Sequence, residues 1–157
     1  MAVFVPLFAI ILFITTSSYA CEPYDRKAWK HWVDEDRDCQ NARHEVLIEE
    51  SQTPVTFKTD KGCRVVSGSW LGAYSGNVFT DASKLDIDHL VPLKEAHESS
   101  GHSWDSERRK AYANDLSDSN TLIAVDRGLN RQKGAGDPVQ IGYSQIKLIS
   151  KNMRELG

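Results

Sequence analysis

Apolar and polar positions alternate along this chain with two different periods, and the changes of period mark its elements. The first stretch has no period. Residues 2–14 are almost purely apolar, carry no charge, and lead into Thr15-Thr16-Ser17-Ser18-Tyr19-Ala20. That run is shorter than the roughly 18–20 residues a spanning helix needs. With small residues at Ser18 and Ala20, residues 1–20 read as a secretory signal cleaved after Ala20. Tyr24, Ala28, Trp29, Trp32 and Val33 then recur at helical spacing and predict an amphipathic helix over residues 24–33. After an acidic loop, residues 41–50 predict a second helix with Ala42, Val46 and Leu47 facing inward. Residues 53–80 are rich in Val, Thr, Phe, Trp and Tyr, with Thr59-Asp60-Lys61-Gly62 as a turn, and predict a β-hairpin or meander.

The second half repeats the alternation on a shorter scale. Residues 85–91 form a strand candidate that stops at Pro92, residues 93–98 a short helix closed by Ser99-Ser100-Gly101, and residues 105–114 a third helix opened by Asp105 or Ser103. Residues 121–125 predict an apolar strand followed by a helical turn through Lys133. Pro138 ends that turn, and residues 143–156 predict a basic amphipathic closing helix. The pattern is that of one α+β domain over residues 21–157, without repeats or a Pro/Gly-rich linker.

Charge sharpens this picture only where it is uneven. The formal net charge of −3 excludes a protein that coats nucleic acid by charge alone. Yet Arg127, Arg131, Lys133, Lys147, Lys151 and Arg154 face only Asp137 and Glu155 in residues 127–157, whereas residues 34–50 are acidic. Of the three cysteines, Cys39 and Cys63 are the expected disulfide of an exported chain, because Cys21 lies at the new N-terminus, where ordering is poor. Cys21 is alternatively a lipidated residue, although Ser18 stands where a lipoprotein signal has Leu.

The chemistry concentrates in three short tracts: Asp86-Ile87-Asp88-His89-Leu90-Val91-Pro92, Asn120-Thr121-Leu122, and Leu129-Asn130-Arg131-Gln132-Lys133-Gly134. Phosphodiester hydrolysis needs a base for water and positive charge on the phosphate oxygens. Adjacent Asp88 and His89 point to opposite faces of a regular strand, so they serve one site only where the strand ends and twists. These tracts resemble the HNH (ββα-metal) endonuclease family, in particular small secreted members related to the C-terminal domain of GmrSD-type restriction enzymes. The first tract is also similar to the general-base segment of the HNH domain of RNA-guided CRISPR nucleases. The resemblance runs from about Tyr24 to Pro138, and includes the tract from Trp32 to Leu47 and Gly62-Cys63-x-Val65.

The resemblance implies a ββα-metal core at about residues 85–134. His89 would be the general base, Asp88 and Asn130 the metal ligands, and Asn120 the residue that orients the histidine's backbone. It implies one divalent ion, Mg²⁺ or Mn²⁺, and a nucleic-acid substrate, DNA first and RNA second, with Arg127, Arg131 and Lys133 toward phosphate. No obligate protein partner is implied, and after signal cleavage no transmembrane segment remains, so the expected location is secreted or periplasmic. After Asp137-Pro138 the family's aromatic residue and longer tail give way to Val139-Gln140-Ile141-Gly142, which puts substrate contacts there in doubt. The alternative is a non-catalytic exported nucleic-acid-binding module on the same scaffold.

Other residues carry plainer readings. Asp34-x-Asp36-x-Asp38 has EF-hand-like spacing but Cys39 where that loop needs Gly, so a solvated acidic loop is expected, with a structural Ca²⁺ as the alternative. Asp86 is expected beside Asp88 as a supporting or capping carboxylate. His31, His44, His97 and His102 have no partner spacing and are expected on helices or the surface.

Overall fold

A computed structural model of the chain describes residues 22–134. The signal segment, Cys21, Pro138 and the expected helix at residues 143–156 lie outside the described residues. The described elements are α1 (Ala42–Glu49), β1 (Thr56–Phe57), β2 (Val65–Leu71), β3 (Val78–Asp81), β4 (Leu85–His89), α2 (Leu93–Glu98), α3 (Ser106–Ala113), β5 (Leu122–Asp126) and α4 (Arg127–Lys133). They form a single-domain α+β fold with two antiparallel sheets.

The first departure from expectation is at residues 24–33. Only Arg26–Ala28 winds, as one 3-10 turn capped by the Asp25 carboxylate. The two tryptophans explain the difference, because they are buried in separate places. Trp29 is sealed among Leu93, Ala96 and Ala113, whereas Trp32 packs against the cluster built on Leu47, Trp70 and Leu85. A continuous helix could not deliver both rings, and tertiary burial outweighs local periodicity here. The backbone instead takes Trp32 through φ +59°, the left-handed region that a bulky side chain adopts at a cost of about 1–3 kcal/mol. Asn114, just after α3, satisfies the irregular stretch: its Oδ1 accepts from Val33 N at 2.8 Å and its Nδ2 donates to Lys30 O at 2.8 Å.

The second predicted helix forms as α1. Asn41 caps it by accepting from His44 N, and Ala42, Val46 and Leu47 are its buried face. The expected meander is β1–β2–β3, with Thr56 opposite Ser67 and Trp70 opposite Phe79. Its first turn closes through Gly62 N to Thr59 O at 3.1 Å, with Gly62 at φ +75°. Trp70, fully buried, donates from Nε1 to Leu47 O at 2.7 Å and ties the sheet to α1. The Cys39–Cys63 disulfide joins the loop before α1 to the meander.

The second sheet pairs β4 with β5 antiparallel, in unbroken register from Leu85 opposite Asp126 to His89 opposite Leu122. The far side of β5 is covered locally, since Ala73 N donates to Ala124 O and Ala124 N donates to both Glu50 carboxylate oxygens. Such cover removes an exposed strand edge. Asp126 ends β5 and caps α4 at once, its carboxylate accepting from Leu129 N at 2.9 Å, so the helix starts without a loop. Among the described residues no helix is long and apolar enough to cross a membrane.

Candidate functional site

The alternation of β4 decides where the chemistry goes. Leu85, Ile87 and His89 are buried while Asp86 and Asp88 are only partly covered, so the carboxylates and the imidazole occupy opposite faces of the strand. The register stays regular through His89, and the two groups do not converge on one point within β4.

On the carboxylate face lies α4. Arg127, Asn130 and Lys133 are spaced three apart and form one row along the helix. Arg127 Nε stands 3.3 Å from Asp86 Oδ1, and Asn130 Nδ2 stands 3.5 Å from Asp86 Oδ2. Lys133 Nζ is 2.7 Å from Asp88 Oδ2, with the lysine side chain only 1% exposed. Tyr74, from the turn between β2 and β3, donates its hydroxyl to the same Asp88 oxygen at 2.6 Å. Both contacts on Asp88 therefore converge on Oδ2, and Oδ1 carries neither. Lys133, expected to face phosphate, instead turns inward, because an ammonium beside a half-buried carboxylate loses less by burial than either charge would alone. Arg131, one position off the row, is exposed.

On the other face His89 is 4% exposed. Its Nε2 donates to the backbone carbonyl of Ala113 at 3.0 Å. In the neutral ring that bond places the proton on Nε2 and leaves the lone pair on Nδ1. The ring lies between Trp32, at 6.1 Å, and Tyr112, stacked at 6.5 Å. Burial holds the imidazole pKa below its ordinary value, offset in part by the Ala113 bond and the charge of Asp88. Burial thus favours the neutral imidazole, oriented by its bond to Ala113 O.

Asn120 lies in the turn before β5, exposed, with its amide Nδ2 donating to Asp118 Oδ1 at 2.8 Å rather than to the backbone of His89. The loop after β4 is instead tied by Leu90 N to Thr121 O at 3.0 Å. Sequence reasoning missed Tyr74, whose short turn carries no distinguishing pattern, and the inward side of Lys133. The acidic loop brings an oxygen from each of Asp34, Asp36 and Asp38 within 4.8 Å of the others. These carboxylates cap their own loop, accepting from the backbone N–H groups of Cys39, Asp38 and Gln40 respectively. His44 and His97, expected on helices or the surface, lie on α1 and α2: His97 is buried beside Trp29, and the partly buried His44 accepts from Val65 N.

No protein-family profile matches the chain, and no solved structure matches it. It is similar to a protein of Arthroderma benhamiae described as an "uncharacterized secreted protein", with 39% identity over 115 residues. The match covers 73% of this chain and 54% of that protein, so the chain spans about half the length of the relative.

Proposed function

We propose that this chain is an exported, metal-dependent endonuclease of the HNH type that hydrolyses phosphodiester bonds of nucleic acid, DNA or RNA. The observation that carries the reading is the β4–β5–α4 unit, an antiparallel pair with a helix laid directly across it, bearing Asp88 on the strand and Asn130 on the helix. Export is supported by the apolar run at residues 2–14, the disulfide and the relative's description as secreted.

The donor set on the α4 face suits a hard divalent cation. Asp86 and Asp88 share that face of β4, the Asn130 amide rests against Asp86, and a buried ammonium rests on Asp88, which marks that oxygen as a position for positive charge. Asp88 and Asn130 would hold Mg²⁺ or Mn²⁺, with Asp86 beside them. The ion, when bound, would offset charge on the phosphate and the departing oxygen. His89 takes the proton of the attacking water on Nδ1, while its Nε2–H stays on Ala113 O. Lys133 exchanges Asp88 for a phosphate oxygen. The phosphate has to sit at the C-terminal end of β4, where groups from both faces of a strand can approach a common ligand.

One observation favours the second reading, a non-catalytic binding module. The Lys133 ammonium seated on Asp88 satisfies the carboxylate without any ion. Plasmid and RNA incubated with the purified secreted form, in Mg²⁺ and in EDTA, separate the two. Cutting that requires the ion is expected, and its absence in Mg²⁺ and Mn²⁺ alike would discard the nuclease.

A further inference from the structure

Beside the polar face of β4 opens a cleft of about 560 Å³ that the mechanism above leaves unused. Arg43 from α1, Arg64 just before β2 and Arg127 from the first turn of α4 line it, together with His44, Trp32 and the carboxylates of Asp81 and Asp86. The three guanidinium groups are held differently. Arg43 is fixed, donating to the carbonyls of Ala82 and Leu85 at 3.2 and 3.1 Å. Arg127 leans on Asp86 but is 38% exposed. Arg64 is exposed, and its guanidinium has no hydrogen-bond or ion-pair partner among the described residues.

The charges do not balance. Two carboxylates, Asp86 and Asp81, face the three guanidinium groups; Asp86 serves both Arg127 and Arg43, and Asp81 accepts from Ser83 N, so Arg64 has no ion-pair partner among the described residues. The imbalance is felt by the neighbours: Arg43 is shifted down by burial first, with Asp86 opposing, and further by Arg127 and Arg64. His44 accepts from Val65 N through Nδ1 at 3.3 Å, so its neutral ring carries its proton on Nε2 as a donor. A concave surface with one surplus guanidinium group and a spare N–H donor suits an oxyanion, and planar forks suit phosphate. Trp32 connects this cleft to the base, because it lines the cleft and its ring lies 6.1 Å from that of His89.

We infer that the cleft binds the phosphodiester backbone of the strand to be cut, with Arg64 and Arg127 on phosphate and Trp32 offering its ring to a neighbouring base. The inference rests on the nuclease reading and gives that enzyme's substrate its track. Free phosphate presents the same oxygens, but a strand adds stacking and further phosphates.

The test is fluorescence anisotropy of a labelled single strand roughly 12 nucleotides long, in EDTA so that binding is read without turnover, across a salt series. Arg64→Ala should weaken binding several-fold and reduce the slope of log K against log salt by about one. Arg108→Ala removes the same charge from α3, where that guanidinium stacks on Trp104 at 4.4 Å, and should leave both near wild type. Wild-type affinity and slope in Arg64→Ala, an equal loss in Arg108→Ala, or no strand binding by the wild type would each overturn the inference. Displacement of the strand by an equimolar amount of inorganic phosphate would also overturn it, in favour of a small-anion site. A protein that binds the strand through Arg64 yet never cuts would remove the nuclease reading and leave the cleft standing.

Discussion

Two carboxylates sit on either side of the β4–β5 pair, and their surroundings differ in one respect. Asp88 on β4 has an ammonium at 2.7 Å and a hydroxyl at 2.6 Å. Glu50, at the end of α1 against the far edge of β5, has among the described residues only the N–H of Ala124, shared between its two oxygens. Burial dominates at Glu50 and that single bond offsets it only partly, so its pKa is pushed up to about 7. A backbone N–H satisfies a hydrogen bond, whereas a cation compensates a charge. His89, next to Asp88 in the sequence but on the buried face, illustrates the opposite sign: burial favours its neutral form and so lowers its pKa.

The largest expected effect breaks the comparison at the imidazole. His89→Ala should lower the cleavage rate by about 10²–10⁴ while leaving the required metal concentration unchanged. In the wild type, activity should hold as pH falls through the ordinary histidine range and drop only below it, because burial depresses the pKa that governs the base. A rate profile measured against pH and metal checks both, and an unchanged rate in the variant would end the assignment.

Next comes the compensated carboxylate. Asp88→Asn takes away the carboxylate beside a buried ammonium, and should cost about 3 kcal/mol in denaturant unfolding. Lys133→Met in the same background should recover much of that loss. Additive effects in the double variant would mean that the pair is not coupled. Asp88→Asn and Asn130→Ala should both raise the metal concentration needed for cutting.

Glu50 supplies the uncompensated half. Its folded pKa lies above its ordinary 4.5, so between there and about 7 the folded state holds more protons than the unfolded one. Stability therefore falls as pH rises through that window, by about 3 kcal/mol in all. Glu50→Gln should remove this slope and be the more stable protein above pH 7, while matching wild type in acid. Equal slopes in the two proteins would show that Glu50 is already charged at neutral pH. The smallest effect belongs to Tyr74→Phe, which deletes one hydroxyl donor to Asp88 and should cost about 1 kcal/mol in the same unfolding assay.

How much of this was legible in the sequence depended on whether local and tertiary demands agreed. At α1 they agree: Asn41 caps, and Ala42, Val46 and Leu47 lie on the face that the core needs. The β4 alternation was equally readable, including the separation of Asp88 from His89, because period two is a property of the strand itself. Residues 24–33 were misread because Trp29 and Trp32 satisfy a helical spacing while serving different clusters. The Cys39–Cys63 bond was recovered from the position of the third cysteine. The inward turn of Lys133 had no signature, since a lysine on a short basic helix looks the same whether it meets water or a carboxylate 45 positions earlier.

The end of α3 holds more than its size suggests. Ala113 fixes the His89 ring, and Asn114 fixes the loop that carries Trp32, through bonds to residues 81 and 84 positions away. Such contacts close very long loops, which makes them late events in folding, after the meander has formed locally. The His89 ring and the Trp32 loop are therefore completed together, in the last cooperative step, and are not preassembled on a local fragment. Hydrogen exchange at the Val33 amide would then follow opening of the whole domain, so that this loop, irregular as it is, exchanges as slowly as the β4–β5 core.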